Sequence, residues 1–98
     1  MFEIRLSDEG EVVMSGRLDA AQCDKALQFL DSAPAARVVD LAALEYISSA
    51  GLGVLLKTQK RLMAGGQGLR LVNANKHIRD IFKYAGFDRI FEIGPGGA

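Results

Sequence analysis

The stretch from Arg37 to Val72 does most to limit what this chain can fold into. Val38, Val39 and Leu41 form a short apolar run suited to a strand covered on both faces. Residues 42–48 make a brief connection, and from about Ser49 to Ala64 Leu52, Leu55, Leu56 and Met63 lie on one helical stripe and Lys57, Lys60 and Arg61 on another, which reads as a solvated basic face. Gly65-Gly66 ends that helix, and Leu69 to Val72 is a second short apolar run. A strand that returns through a helix to a second strand of the same sheet makes a right-handed crossover, which leaves the two strands parallel.

On either side of this unit the period changes. Phe2, Ile4 and Leu6 alternate with Glu3, Arg5 and Ser7, the two-residue repeat of a half-buried strand. Asp8-Glu9-Gly10 supplies a turn, and Glu11 to Gly16, with Val12, Val13 and Met14, gives the returning strand of a hairpin. Asp19 stands where an N-cap is needed for a helix from Ala20 to about Ala33. Its apolar positions are Cys23, Ala26, Leu27 and Leu30, which reads Cys23 as core, and Pro34 stops it. Asn73 or Asn75 caps a third helix that buries Ile78, Ile81 and Phe82 and closes at Gly86. Ile90, Phe91 and Ile93 suggest a last strand. The order ββαβαβαβ predicts one α/β domain over residues 1–93 with a mixed sheet of four to five strands, and residues 94–98 read as a flexible Gly/Pro tail.

Composition excludes several classes of function. A chain of 98 residues with 49% hydrophobic and 24% charged residues has enough apolar material for one core and too little length for a deep active site. Cys23 is the single cysteine, so no internal disulfide is possible, and no Cys/His cluster has metal-ligand spacing. The first residues lack the features of a signal peptide, and no apolar stretch reaches membrane-spanning length. The expected address is the cytoplasm. Twelve basic residues balance twelve acidic ones, which argues against a nucleic-acid partner. The balance is uneven along the chain, because residues 1–49 hold nine acids and four bases and residues 50–98 hold three acids and eight bases. Either folding shuffles these charges or the molecule is electrically two-sided.

The chemistry concentrates in Tyr46-Ile47-Ser48-Ser49-Ala50-Gly51-Leu52-Gly53, where a strand hands over to a helix at the carboxyl edge of the sheet. Ligands and partners gather at such edges, because helix N-termini there present amides without internal acceptors. Ser48 or Ser49 can cap the helix. Alternatively one hydroxyl accepts a phosphoryl group, whose roughly −1.5 to −2 charges the helix N-terminus tolerates while a docked partner is repelled. Gly51 and Gly53 allow close approach of another backbone, or serve tight packing between helix and sheet. Leu56 stands where a dinucleotide fingerprint needs Gly or Ala, and there is no P-loop Gly-Lys-Ser/Thr, so no cofactor is expected. Ser49 lies outside any Gly-x-Ser-x-Gly, and the one histidine, His77, sits among Lys76 and Arg79 as a solvated helix residue, so a hydrolase is not expected either.

Val38-Val39-Asp40-Leu41 followed by Ile47-Ser48-Ser49-Ala50-Gly51-Leu52-Gly53-Val54-Leu55 resembles the STAS domain of bacterial anti-sigma factor antagonists. Ser15-Gly16-Arg17-Leu18-Asp19 looks like the family's Gly-Glu-Leu-Asp motif, and Gly65-Gly66 to Val72 is similar to its glycine turn and following strand. The similarity covers about residues 2 to 93. It implies a binding module, not an enzyme. The unphosphorylated form would bind a cytoplasmic anti-sigma factor that is also a serine kinase, releasing the sigma factor; phosphorylation would end the complex, and a serine phosphatase would reset it. The family's acceptor is one of the two residues before Gly-Leu, here Ser49 and Ala50. Ala50 has no hydroxyl, so the resemblance assigns Ser49. Ser48 takes a position where many members have aspartate and is a second candidate. Asp19 matches the motif's acid, which lies near the acceptor and helps kinase recognition, while Arg17 replaces its glutamate. Together with Ala50, Gly51, Leu52 and Gly53 at the helix start, Asp19 would form the partner-binding surface. The alternative is a STAS subunit with no phosphate cycle, within a lipid transporter or a stress-signalling complex.

Overall fold

Each strand of this protein pairs with the next in the chain. In the computed structural model, which describes residues 1–94, β1 (Phe2–Leu6), β2 (Val12–Leu18), β3 (Val38–Ile47), β4 (Arg70–Val72) and β5 (Glu92–Gly94) lie in that order across one sheet. β1 runs antiparallel to β2, and β2, β3, β4 and β5 are parallel. Three helices make the parallel connections: α1 (Cys23–Ser32), α2 (Ser49–Ala64) and α3 (Lys76–Tyr84). Every crossover steps in the same direction, and right-handed crossovers in one direction place their helices on one face. The result is two layers.

Burial follows this geometry. Val39, Leu41, Leu44 and Ile47 of β3 enter the core with Val12, Met14 and Leu18 of β2. On the other face Ala43 and Glu45 meet solvent, as do Glu3 and Arg5 of β1. The expectation of a strand covered on both faces is thereby corrected: the described residues form only one helical layer, and Val38 stays half-buried. β3 is also longer than the apolar run 37–41, because residues 42–47, expected as a connection, continue the strand with polar and small residues on the open side.

The helices depart from expectation in two places. Asp19 is extended (φ −94°, ψ 179°) and precedes a 3-10 turn, Ala20–Gln22, but its side chain makes no capping bond, and α1 proper begins at Cys23. On α2 the buried side is Gly51, Val54, Leu55, Thr58, Gln59 and Leu62, whereas Met63 is 58% exposed and Leu52 and Leu56 are half-buried. Reading every apolar residue as core misplaced that stripe, because Thr58 returns its hydroxyl to the Val54 carbonyl (3.1 Å) and Gln59 is held at both ends of its amide. The Gln59 amide nitrogen donates to the Ile90 carbonyl (2.7 Å) and its oxygen accepts from the Leu69 N–H (2.7 Å), tying α2 to the start of β4 and to the segment before β5.

Asn75, not Asn73, caps α3 by accepting from the Ile78 N–H at 2.9 Å; Asn73 has a left-handed φ of 64°. Gly86 follows α3 at φ 76°, and a 3-10 turn, Phe87–Arg89, leads to β5. Phe82 stacks on Phe87, and Phe87 touches Phe91, with centroids 5.4 and 4.8 Å apart. Gly94, expected to begin the tail, is the last residue of β5, and 95–98 lie outside the described residues.

Candidate functional site

The carboxyl ends of β2 and β3 set the site. Leu18 pairs with Ile47, and the Leu18 carbonyl accepts the Ser48 N–H at 2.9 Å, which fixes the turn from β3 into α2. Ser48 is extended (φ −86°, ψ 170°), its Oγ accepts from the Gly51 N–H at 3.1 Å, and its carbonyl accepts the Leu52 N–H at 2.9 Å. Ser48 is therefore the N-cap, which resolves the choice between the two serines for that task. Ser49 is the first residue of the helix and is exposed, as is Ala50. Their amides belong to the group of helix N–H donors that have no carbonyl one turn back, at the end carrying the positive part of the helix dipole.

The two glycines of this motif do different things. A Cβ on Gly51 would stand 2.8 Å from Ile47 Cγ1 and 3.0 Å from both Leu18 Cγ and the Leu18 carbonyl oxygen, so only glycine lets α2 lie this close to the ends of β2 and β3. Gly51 is buried there. A Cβ on Gly53 would meet nothing within 4 Å. Packing accounts for Gly51 and leaves Gly53 unexplained by the interior.

Cys23, read as core, sits at the edge of the site. Its Sγ donates to the Asp19 carbonyl at 3.3 Å and is hydrogen-bonded with the Ser48 side chain. Burial pushes the thiol above its ordinary pKa, the Ser48 bond opposes that shift, and the negative charges of Asp19 and Asp24 add to it, so the group is a protonated thiol at neutral pH. One Asp19 carboxylate oxygen is buried with no hydrogen-bond partner among the described residues.

Between the helices runs a groove of about 320 Å³, with Cys23, Asp24 and Leu27 on one wall and Ala50, Gly53 and Lys57 on the other. Nothing in the sequence reading anticipated it, since it depends on how α1 packs against α2. Arg61 belongs to this seam as well. It donates to the Leu30 carbonyl at 3.0 Å and pairs with Asp31 at 3.4 Å, so it holds the helices together where a solvated basic stripe was expected. Lys57 and Lys60 are exposed. On the open sheet face the Arg17 guanidinium lies over the Tyr46 ring, 4.4 Å from its centroid, at the strand ends beside Ser48. His77 is exposed, and no group of three metal-ligating side chains occurs among the described residues. Within them no helix is long and apolar enough to cross a membrane.

A five-stranded mixed sheet with one helical layer and a serine-capped α2 at its carboxyl edge defines a class, and comparison with known families agrees with it. The family model described as "Mlab, STAS domain" matches residues 3–93, and the chain belongs to that family. A protein of Bordetella bronchiseptica named as an anti-sigma factor antagonist, BtrV, is 37% identical over 82 residues, covering 84% of this chain and 70% of that protein. Among solved structures, an anti-sigma factor antagonist from Mycobacterium paratuberculosis superposes with a TM-score of 0.83 at 26% identity, over 99% of this chain and 88% of the other. The phosphorylated form of SpoIIAA from Bacillus superposes with a TM-score of 0.68 at 19% identity, over 98% and 93%, a likeness of fold.

Proposed function

We propose that this chain is an anti-sigma factor antagonist controlled by phosphorylation of Ser49. In its unphosphorylated form it binds a cytoplasmic anti-sigma factor that is also a serine kinase and releases the sigma factor. The observation that carries this reading is the division between the two serines: Ser48 caps α2, so the exposed Ser49, whose side chain makes no hydrogen bond among the described residues, has none to give up when a kinase reaches it. Phosphorylation would place roughly −1.5 to −2 charges at the helix N-terminus, where the dipole and open amides stabilise them, without refolding of the domain. The same charge faces any partner seated on Ala50, Leu52 and Gly53 and ejects it. Gly53 supports the reading, since nothing lies within 4 Å of where its Cβ would stand, which leaves room for another backbone to approach. A relative 37% identical carries the antagonist name, and SpoIIAA, with the same fold, has been solved in a phosphorylated form.

The test incubates the protein with the anti-sigma factor kinases of its own source cell and ATP and maps phosphate by mass spectrometry. Modification at Ser49 is expected, and none at Ser49 or Ser48 refutes the proposal. Ser49→Ala should bind the kinase constitutively and Ser49→Asp weakly; equal binding removes the charge mechanism. A stability measurement separates the serines, because Ser48→Ala loses the cap and should cost about 1 kcal/mol while Ser49→Ala stays within about 0.5 kcal/mol of the parent.

A second reading, a STAS subunit of a lipid transporter or stress-signalling complex with no phosphate cycle, has its support in the family description, which names Mlab and no antagonist. Copurification distinguishes the two: a transporter ATPase in place of a kinase would favour the second.

A further inference from the structure

We propose that this chain associates head to tail with a second copy of itself, seating Tyr84 of one copy in the groove beside Leu6 and Pro34 of the next. The uneven charge along the sequence survives folding, because the strands lie in chain order and position along the chain becomes position across the sheet. Five strands at about 4.8 Å spacing put the two edges about 19 Å apart, more than a Debye length of about 8 Å at physiological salt, so each edge acts on its surroundings as a separate face. At the β1–β2 side Glu3, Asp8, Glu9 and Glu11 outnumber Arg5 and Lys25, none of them in an ion pair among the described residues, and on α2, α3 and the turn after it the unpaired Lys57, Lys60, Arg79, Lys83 and Arg89 outnumber the unpaired Asp88. The halves meet at the α1–α2 seam, where Asp31 and Arg61 do pair.

Shape matches charge. At the basic end Tyr84 is 95% exposed on the last turn of α3, next to Lys83. At the acidic end a groove of about 390 Å³ opens between the hairpin turn and the segment after α1, lined by Leu6, which is 47% exposed, by Glu9 and Gly10, and by the Ala33–Ala36 turn. Lys83 beside Tyr84 is opposite in sign to Glu9 beside the slot, and Asp80 beside Tyr84 is opposite in sign to Arg37, which donates to the Pro34 carbonyl of the slot at 2.8 Å, so each face carries both signs, and aromatic anchors in pockets dominate interfaces of this kind. A chain with net charge zero carries no overall repulsion toward its own kind. An anionic membrane or a nucleic acid would engage the lysines alone, meet repulsion from the acidic end and leave the Leu6 groove empty, whereas a second copy uses both faces. The faces differ, so the contact is heterologous and each added copy leaves one of each open. Both lie at the amino ends of the parallel strands and Ser49 lies at the carboxyl ends, so the association is independent of the reading given to Ser49 and leaves it uncovered.

Sedimentation velocity on the full chain, from about 10 µM to about 1 mM in about 20 mM and about 500 mM salt, tests this. The average mass should rise from the 10.6 kDa monomer toward at least double in low salt and return to monomer in high salt. Tyr84→Ser should abolish the rise, Glu9→Lys and Lys83→Glu should each weaken association at least about tenfold, and combining both reversals in one chain should restore it. A monomer at every concentration in low salt overturns the proposal, as does association indifferent to salt or to Tyr84→Ser. A monomer that instead pellets with anionic vesicles gives the basic face to a membrane and overturns it too.

Discussion

Gly51 and Gly53, two residues apart on the same helix, should respond in opposite ways to the same added methyl group. In a helix interior alanine is favoured over glycine by about 1 kcal/mol. At Gly53 nothing lies within 4 Å of the new Cβ, so Gly53→Ala should keep most of that gain. At Gly51 the Cβ meets Ile47 Cγ1 at 2.8 Å and two Leu18 atoms at 3.0 Å. One of those is the carbonyl oxygen that accepts the Ser48 N–H, so the strand cannot retreat without loosening the turn that positions both serines. Overpacking costs about 1–3 kcal/mol, and contact with backbone argues for the upper part of that range, which leaves Gly51→Ala a net loss of about 1–2 kcal/mol. The two variants should therefore differ by about 2–3 kcal/mol, a gap in Tm on the order of 10 °C for a domain of this size. Urea and thermal unfolding followed by circular dichroism measure it. Equal stability, or a Gly53→Ala variant less stable than Gly51→Ala, would show that the distance between α2 and the strand ends is not set by Gly51. The same Gly53→Ala protein should bind its partner less well than the parent despite being more stable, which separates surface from core.

Two further outcomes follow from buried polar groups. Gln59→Leu keeps the volume but leaves the Leu69 N–H and the Ile90 carbonyl without their 2.7 Å partners, so stability should fall by about 2–4 kcal/mol in urea unfolding; a loss under about 1 kcal/mol would mean that water reaches both groups. Cys23 should react with iodoacetamide at pH 8 more slowly than the unfolded chain does, and Ser48→Ala should slow it further by removing the bond that favours the thiolate. Because the folded thiol holds its proton longer than the unfolded one, whose value is 9.0, its contribution to stability is whole below that pH and is lost as pH rises through the folded value; stability that grows across this range would contradict the assignment.

The fold was legible where a single local rule governed. The period of α2, the two serines before it and Gly65 after it fixed that helix at both ends, and the crossover rule fixed the parallel pairing of β3 and β4. It was not legible where tertiary context decided. β3 runs on to Ile47 through Ala42, Ala43 and Glu45, which read as a loop because the open face of a two-layer sheet asks for no apolar residue. Met63 looked like core for the converse reason, since spacing alone cannot tell a helix face that meets a sheet from one that meets water. Asp19 had the right residue type and position for a cap, yet the chain winds a 3-10 turn there and the carboxylate makes no capping bond.

The serine pair shows why the site itself needed three dimensions. Capping and phosphoryl acceptance ask for the same residue at the same helix end, so a single serine would have to leave one task for the other. A phosphoryl group on the capping oxygen would crowd the acceptor of the Gly51 N–H, and Gly51 is the residue whose closeness to Leu18 and Ile47 fixes the helix. With Ser48 as cap and Ser49 outside it, modification can change the charge of the surface while the helix keeps its seat. On the proposed reading, exchanging the tasks should fail: a Ser49→Ala chain, left with Ser48 as its only hydroxyl beside the kinase, should be modified at most slowly, and any Ser48 phosphate that forms should lower unfolding stability by about the 1 kcal/mol of a lost cap. Efficient modification of Ser48 with no loss of stability would show that the cap and the switch were never separate.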